Sequence, residues 1–254
     1  MFPGRRDSVN ILARPPRCNA RAGGSEGARM AEFQIDGIAL EVPDAQLTDA
    51  LRKAMGAGLY EHVEARAVAQ HVRPGDRVLE LGAGAGFIAA QIARRAGAAG
   101  LLSVEANPAM IPVIKGNLAR NGAQAVSLLH GAVVPDGYEG DEIGLHVPAG
   151  FWAASLAAPA LKSRRTVQVP ALRLGQLLER HRPDVVVMDI EGAEEFLFEQ
   201  PWPGYLRVLV LELHPRRYPA STVQRIFDCM SASGLCYVAD GSRGAVVVFS
   251  RVTE

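Results

Sequence analysis

A doubly wound α/β domain around a mostly parallel, seven-stranded sheet is what this chain encodes, and three features say so. Strand-length apolar runs alternate with helical segments from Arg77 to the C-terminal end. Several runs, "DVVVMDI" (184–190) and "RVLVLEL" (207–213) among them, are apolar nearly throughout, as strands covered on both faces are. The last two strands, "LCYVA" and "AVVVFS", are joined only by "DGSRG". That is too short for a helical crossover, so the final strand runs antiparallel beside its predecessor.

Taken in order, residues 1–30 carry six Arg against two acids, with Pro and Gly pairs and no apolar period. They read as a disordered tail. An organelle transit peptide is the rival, against which stand the Pro-Pro pair and the missing amphipathic face. Residues 31–73 form an appendage. "FQIDGIALEV" sets a D-G turn between two apolar runs, which predicts a hairpin. Leu47 to Met55 and Tyr60 to His71 have helical spacing. The main domain occupies 74–254. "RVLEL" (77–81) leads into a helix from about Gly86 to Arg95, and "LLSVE" (101–105) into one from Pro108 to about Arg120, its proline in the first turn. "AVSLLHGAV" (125–133) is the third strand. Residues 134–165 break the rhythm and are too long for a plain connection, so they read as an acceptor-site insertion. "TVQVP", a helix near Leu172–His181, strand 184–190, a helix through Phe198, strand 207–213 and a helix over 220–233 follow, the last stopped by Gly234.

Composition excludes several classes. Hydrophobic residues make up 48% and charged residues 21%, ordinary for a soluble globular protein. The formal net charge of zero leaves no global field for nucleic acid or anionic lipid, so neither is an expected partner. No apolar run approaches the ~18 residues a membrane span needs. Cys18, Cys229 and Cys236 are odd in number and lack CxxC spacing. They suit neither a disulfide framework nor a zinc site, and a cytoplasmic, reducing location is expected. Nothing in the sequence sets the oligomeric state.

In α/β sheets of this kind ligands bind beyond the carboxyl ends of the strands, which draws attention to the turn after "RVLEL". Gly82, Gly84 and Gly86 are spaced G-x-G-x-G, whereas a dinucleotide fingerprint needs glycine where Phe87 stands. There is no G-K-[ST] phosphate cradle either. Glu80, two residues before the first glycine, would repel a pyrophosphate but suits a ligand bearing an ammonium and a sulfonium. Glu105 ends the second strand, where a carboxylate can accept from both ribose hydroxyls. This combination favours S-adenosylmethionine (SAM), held by Glu80, by the run Gly82, Ala83, Gly84, Gly86 and Phe87, and by Glu105 with Ala106. Asn107 either reaches the ribose or caps the following helix. Ala132 and Val133 offer backbone contacts and an apolar wall for the base.

A second motif, "VVVMDIEGAEEFLF" (185–198), runs a buried strand into a cluster of acids. Here the chain resembles the FkbM family of SAM-dependent methyltransferases, whose hallmark is a lysine or similar residue followed by D-x-E-G-A-E. It reads here Met188-Asp189-Ile190-Glu191-Gly192-Ala193-Glu194. "LELGAGAGFIA", "SVEANP", "NLARNGA" (117–123) and "LVLELHP" (209–215) are also similar to family segments, and the resemblance runs from about Tyr60 to Phe249. Met188 departs from the family's lysine, and Gly84-Ala85-Gly86 from its asparagine-containing turn. The resemblance implies a class I methyltransferase fold and methyl transfer, mostly to hydroxyl oxygens of sugars, glycans or natural products.

Such a transfer is an in-line displacement that needs alignment, exclusion of water and a base for the hydroxyl proton. Asp189 is expected at the methyl-transfer centre, with His214 or Glu191 as the base and Asp189 also against the cofactor. Phe151 and Trp152 are candidates to wall the acceptor. A magnesium site built from Asp189, Glu191, Glu212 and His214 is the weaker alternative, so no metal is expected. Tyr60 and Glu64 either cover the cofactor or belong to an ordinary amphipathic helix. An NAD(P)-binding oxidoreductase and a SAM-binding module without catalysis are the competing functions.

Overall fold

The computed structural model describes residues 29–147 and 165–252. The expected tail up to residue 28, together with Phe151 and Trp152, lies outside them. The N-terminal hairpin pairs β1 (Met30–Ile35) with β2 (Ile38–Pro43) in antiparallel register. Asp36 and Gly37 both take positive φ at its turn (47° and 76°), the geometry a two-residue D-G hairpin requires. Helices α1 (Asp49–Gly56) and α2 (His62–His71) follow, the first capped by the Thr48 hydroxyl accepting from the Leu51 amide.

The central sheet holds β3 (Val78–Leu81), β4 (Leu101–Glu105), β5 (Ser127–His130), β9 (Val185–Met188), β10 (Val208–Glu212), β11 (Leu235–Arg243) and β12 (Val246–Arg251). Its order is β11-β12-β10-β9-β3-β4-β5. β3, β4, β5, β9 and β10 are mutually parallel, and β12 is antiparallel to both its neighbours, as the sequence predicts. Alternate residues of each central strand enter opposite cores: Val78, Val185, Val187, Val208 and Val210 on one face, Leu79, Leu81, Val186, Met188, Leu209 and Leu211 on the other. That is why these strands read as continuous apolar runs. Helices α3 (Phe87–Ala96) and α4 (Ile111–Arg120) contribute to the first core, and α5 (Leu174–His181) and α6 (Ala220–Ala232) to the second.

Several expectations are corrected. The single third strand over 125–133 is two: β5 ends at His130, and β6 (Ala132–Val134) leaves the sheet at Gly131. β6 joins a three-stranded side sheet with β8 (Arg165–Arg173) and β7 (Glu142–Val147), so the expected insertion carries regular structure at both ends. The helix expected from Pro108 starts at Ile111, because the Asn107 side chain accepts from the Ala109 amide and spends Pro108 on a turn. The helix expected through Phe198 is one 3-10 stretch, Ala193–Phe196. The "DGSRG" loop is mostly strand: β11 continues through a bulge to Arg243.

Candidate active site

A cleft of about 1510 Å³ opens at the carboxyl ends of β3, β4, β9 and β10, under the N-terminal appendage. Its floor is the glycine turn. Gly82 (φ 91°) donates its amide to the Val104 carbonyl at 2.9 Å, and a Cβ there would lie 1.8 Å from the Asp189 carbonyl oxygen. Only glycine lets the ends of β3 and β9 come this close. The Gly84 amide donates to Glu105 Oε2 (2.9 Å) and the Asn107 amide to Glu105 Oε1 (2.7 Å). Glu105 therefore ties two rim loops together while facing the cleft. Burial raises its carboxyl to about 6, with these amides opposing the shift.

The second wall is the D-x-E-G-A-E turn. Glu191 and Gly192 both have positive φ (55° and 102°), which reverses the chain directly after β9. A Cβ on Gly192 would strike the Arg217 side chain at 2.7 Å, so the glycine also makes room for that arginine. Arg217 Nη2 donates to Glu191 Oε2 at 2.7 Å. His214, beyond β10, stands among three acids. Its Nδ1 lies 3.2 Å from Glu194 Oε1, and its Nε2 lies 3.5 Å from Asp189 Oδ1 and 3.6 Å from Glu191 Oε2. Tyr218 fixes the backbone there, accepting the His214 amide at 2.6 Å.

Electrostatics follow from burial and crowding. Burial pulls the His214 imidazole down, but Glu194, Asp189 and Glu191 outweigh it and hold the group up at about 9. Burial, then Glu191, raises Asp189 to about 7, with His214 opposing. Asp189 Oδ1 is buried and without a hydrogen-bond partner. Glu212 contacts the carboxyls of both Asp189 and Glu64, and burial lifts Glu212 and Glu64 to about 7 as well. Near neutral pH these carboxyls share protons rather than carry full charge. Asp189, Glu212 and His214 also bring one potential ligand atom each within 4.8 Å of one another.

The cleft is lined by Gly82, Gly84, Glu105, Ala106, Ala132, Val133, Asp189, Glu191 and His214 from among the predicted site residues. Others lie elsewhere. Glu80 is 1% exposed and absent from the lining. Strand alternation puts it on the Val78 side of the sheet, and burial raises its carboxyl to about 8, so it is neutral at pH 7. The expectation that it meets a ligand's ammonium is not met. Phe87 is fully buried at the start of α3, and Ala83, Gly86 and Asn107 also lie behind the lining. Asn107 does not cap α4, whose N-cap is Met110; its side chain accepts from the Ala109 amide in the turn before the helix. Tyr60 and Glu64 do line the cleft. Sequence reasoning missed Glu61, which carries no motif and reaches the cleft only through a left-handed backbone. It also gave Glu194, the last residue of the D-x-E-G-A-E motif, no part in the site, whereas Glu194 is fully buried beneath His214.

Sheet order and rim-located cleft define a doubly wound α/β domain with its candidate site beyond the strands' carboxyl ends. More specifically, the methyltransferase FkbM domain matches residues 80–233, and the chain belongs to that family. The ribosomal protein L11 methyltransferase of Thermus thermophilus is 38% identical over 73 residues, a match spanning 28% of this chain and 28% of that protein. Among solved structures, M. jannaschii TYW2 in complex with AdoMet is 14% identical, with a TM-score of 0.45 over 88% of this chain and 87% of that one. The O-methyltransferase from Bacillus cereus is also 14% identical, with a TM-score of 0.42 over 83% of this chain and 84% of that one. Among the described residues, no helix is long and apolar enough to cross a membrane.

Proposed function

We propose that the cleft binds SAM and that the chain methylates a hydroxyl oxygen on a sugar, glycan or natural-product small molecule. The carrying observation is Glu105: a carboxylate at the end of β4, anchored by the Gly84 and Asn107 amides, with lone pairs left to face the cleft. That suits a ribose diol. The rest of the donor set fits the same cofactor. Ala132, Val133 and Leu145 give an apolar wall for a base, and the orphaned Asp189 Oδ1 stands in an acid-rich wall that suits a sulfonium better than a pyrophosphate. When bound, SAM supplies an electrophilic methyl carbon.

The chain's own residues then have to align an acceptor oxygen with that carbon and take the hydroxyl proton. With its imidazole held near 9, His214 is a cation at neutral pH and is poorly suited to accept a proton. Asp189, raised to about 7 and facing the cleft, is suited to it. In this reading His214 keeps the Asp189 carboxylate ionised at a distance of 3.5 Å, Glu194 holds the imidazole from behind, and Glu191 is spoken for by Arg217. A reducing, cytoplasmic location belongs to the same proposal and is supported by Cys229 and Cys236 being free thiols.

The experiment is transfer of labelled methyl from SAM to a panel of hydroxyl acceptors in lysate, run with and without EDTA. Label on oxygen of a small product, unaffected by EDTA, is expected. Label on nitrogen or carbon would overturn O-methylation. Loss of transfer in EDTA, restored by Mg²⁺, would replace the imidazolium by a metal ion at Asp189, Glu212 and His214.

A further inference from the structure

Given a SAM site in this cleft, the amino acid end of the cofactor reaches the glycine turn and its ammonium needs an acid. Glu80, the acid the sequence offers, is buried one residue short of the end of β3 and does not line the cleft. We propose that Glu61 takes this ammonium. Glu61 lines the cleft together with Gly82 and Gly84. Its carboxylate is held by Tyr60, whose hydroxyl group hydrogen bonds both to Glu61 and to the backbone of Ala85 within the turn. The Tyr60 ring also packs against Phe87, directly after the turn, at 6.0 Å between centroids. Two hydrogen bonds thus connect the Glu61 carboxylate to the loop on which the amino acid end would lie.

The backbone supports the assignment. Glu61 sits at φ 47° and ψ 27°, a left-handed conformation uncommon for residues other than Gly, Asn or Asp. It occupies the N-cap of α2 yet makes no side-chain capping bond. Glutamate is not a favoured capping residue, and this one hydrogen bonds with Tyr60 instead of the helix's own amides. Burial first, and then the acids Glu64, Asp189 and Glu80, push its carboxyl well above the usual range, with Tyr60 opposing, so the protein's own groups disfavour its charged form. A carboxylate so placed gains from a cationic ligand and from little else among its neighbours.

The test uses the full chain and calorimetry with two probes, S-adenosylhomocysteine and 5′-methylthioadenosine, the second lacking the amino acid end. Glu61→Gln is expected to weaken S-adenosylhomocysteine about tenfold or more, the loss of one charge-assisted contact. Its 5′-methylthioadenosine affinity should be unchanged, which also reports that the variant is folded. Equal S-adenosylhomocysteine affinity in the variant and the original chain would overturn the proposal, as would parallel loss of both probes in folded protein. A measurement without substitution gives the same answer: S-adenosylhomocysteine stripped of its amino group should bind the original chain about tenfold more weakly. Equal affinity for the two would contradict the assignment. Failure of the original chain to bind either probe would instead remove the cofactor reading on which this inference rests.

Discussion

At the residue scale, the chemistry comes down to how one imidazole and one carboxyl divide a proton. His214 and Asp189 lie 3.5 Å apart with held values of about 9 and about 7, and their titrations are coupled. If Asp189 must be ionised and His214 protonated, turnover rises as pH climbs through about 7 and falls as it passes about 9. His214→Ala removes the cation that lowers Asp189, so the acid limb should move to higher pH and kcat at pH 7 should drop about tenfold or more. The affinity for S-adenosylhomocysteine should stay close to that of the original chain. A pH–rate series on both proteins checks this. An unshifted acid limb and unchanged kcat would take His214 out of the mechanism.

At the scale of elements, one helix of the main domain ties the glycine turn to the N-terminal hairpin. Asn117 on α4 accepts the Glu41 amide at 2.8 Å and donates to the carbonyls of Glu41 (3.1 Å) and Ala85 (2.9 Å). One turn later, Asn121 accepts the Ala39 amide and donates to the Ala39 carbonyl. Spaced i and i+4, the two amides lie on one helix face and imitate a neighbouring strand along the edge of β2. Asn117 is fully buried, so Asn117→Ala leaves three backbone groups without partners and should cost about 3 kcal/mol or more. It should also loosen the hairpin and weaken cofactor binding through the Ala85 carbonyl. Thermal unfolding and hydrogen exchange at residues 39–41 check this; unchanged protection there would contradict the clamp. The "NLARNGA" stretch is visible in the sequence as a family-like segment, but its purpose is not. The hairpin partners, Glu41 and Ala39, are backbone groups more than seventy positions away, and backbone groups leave no trace in side-chain identity.

At the scale of the whole molecule, the sheet is legible because burial on two faces writes itself as uninterrupted Val, Leu and Ile runs, and the rim follows from strand direction. The site was legible where it depends on strand ends, as with Glu105, Asp189 and His214. It was not legible where it depends on how far a side chain stands from its strand's end or on a local reversal of the backbone. Glu80 and Glu105 look alike in sequence and share one face of the sheet, yet Glu80, paired with Ser103, lies one residue short of its strand's end and is buried, whereas Glu105 ends its strand at the cleft. Glu61 owes its place to one positive φ angle. The break at Gly131 likewise depends on the side sheet, whose partner strand β8 comes more than thirty residues later.

The central claim is that this cleft is built for an adenosyl sulfonium cofactor, and isothermal calorimetry on the intact chain tests it most directly. S-adenosylhomocysteine is expected to bind with one-to-one stoichiometry while a nicotinamide dinucleotide gives no saturable heat. Tight binding of the dinucleotide, with none of S-adenosylhomocysteine or SAM, would contradict the account.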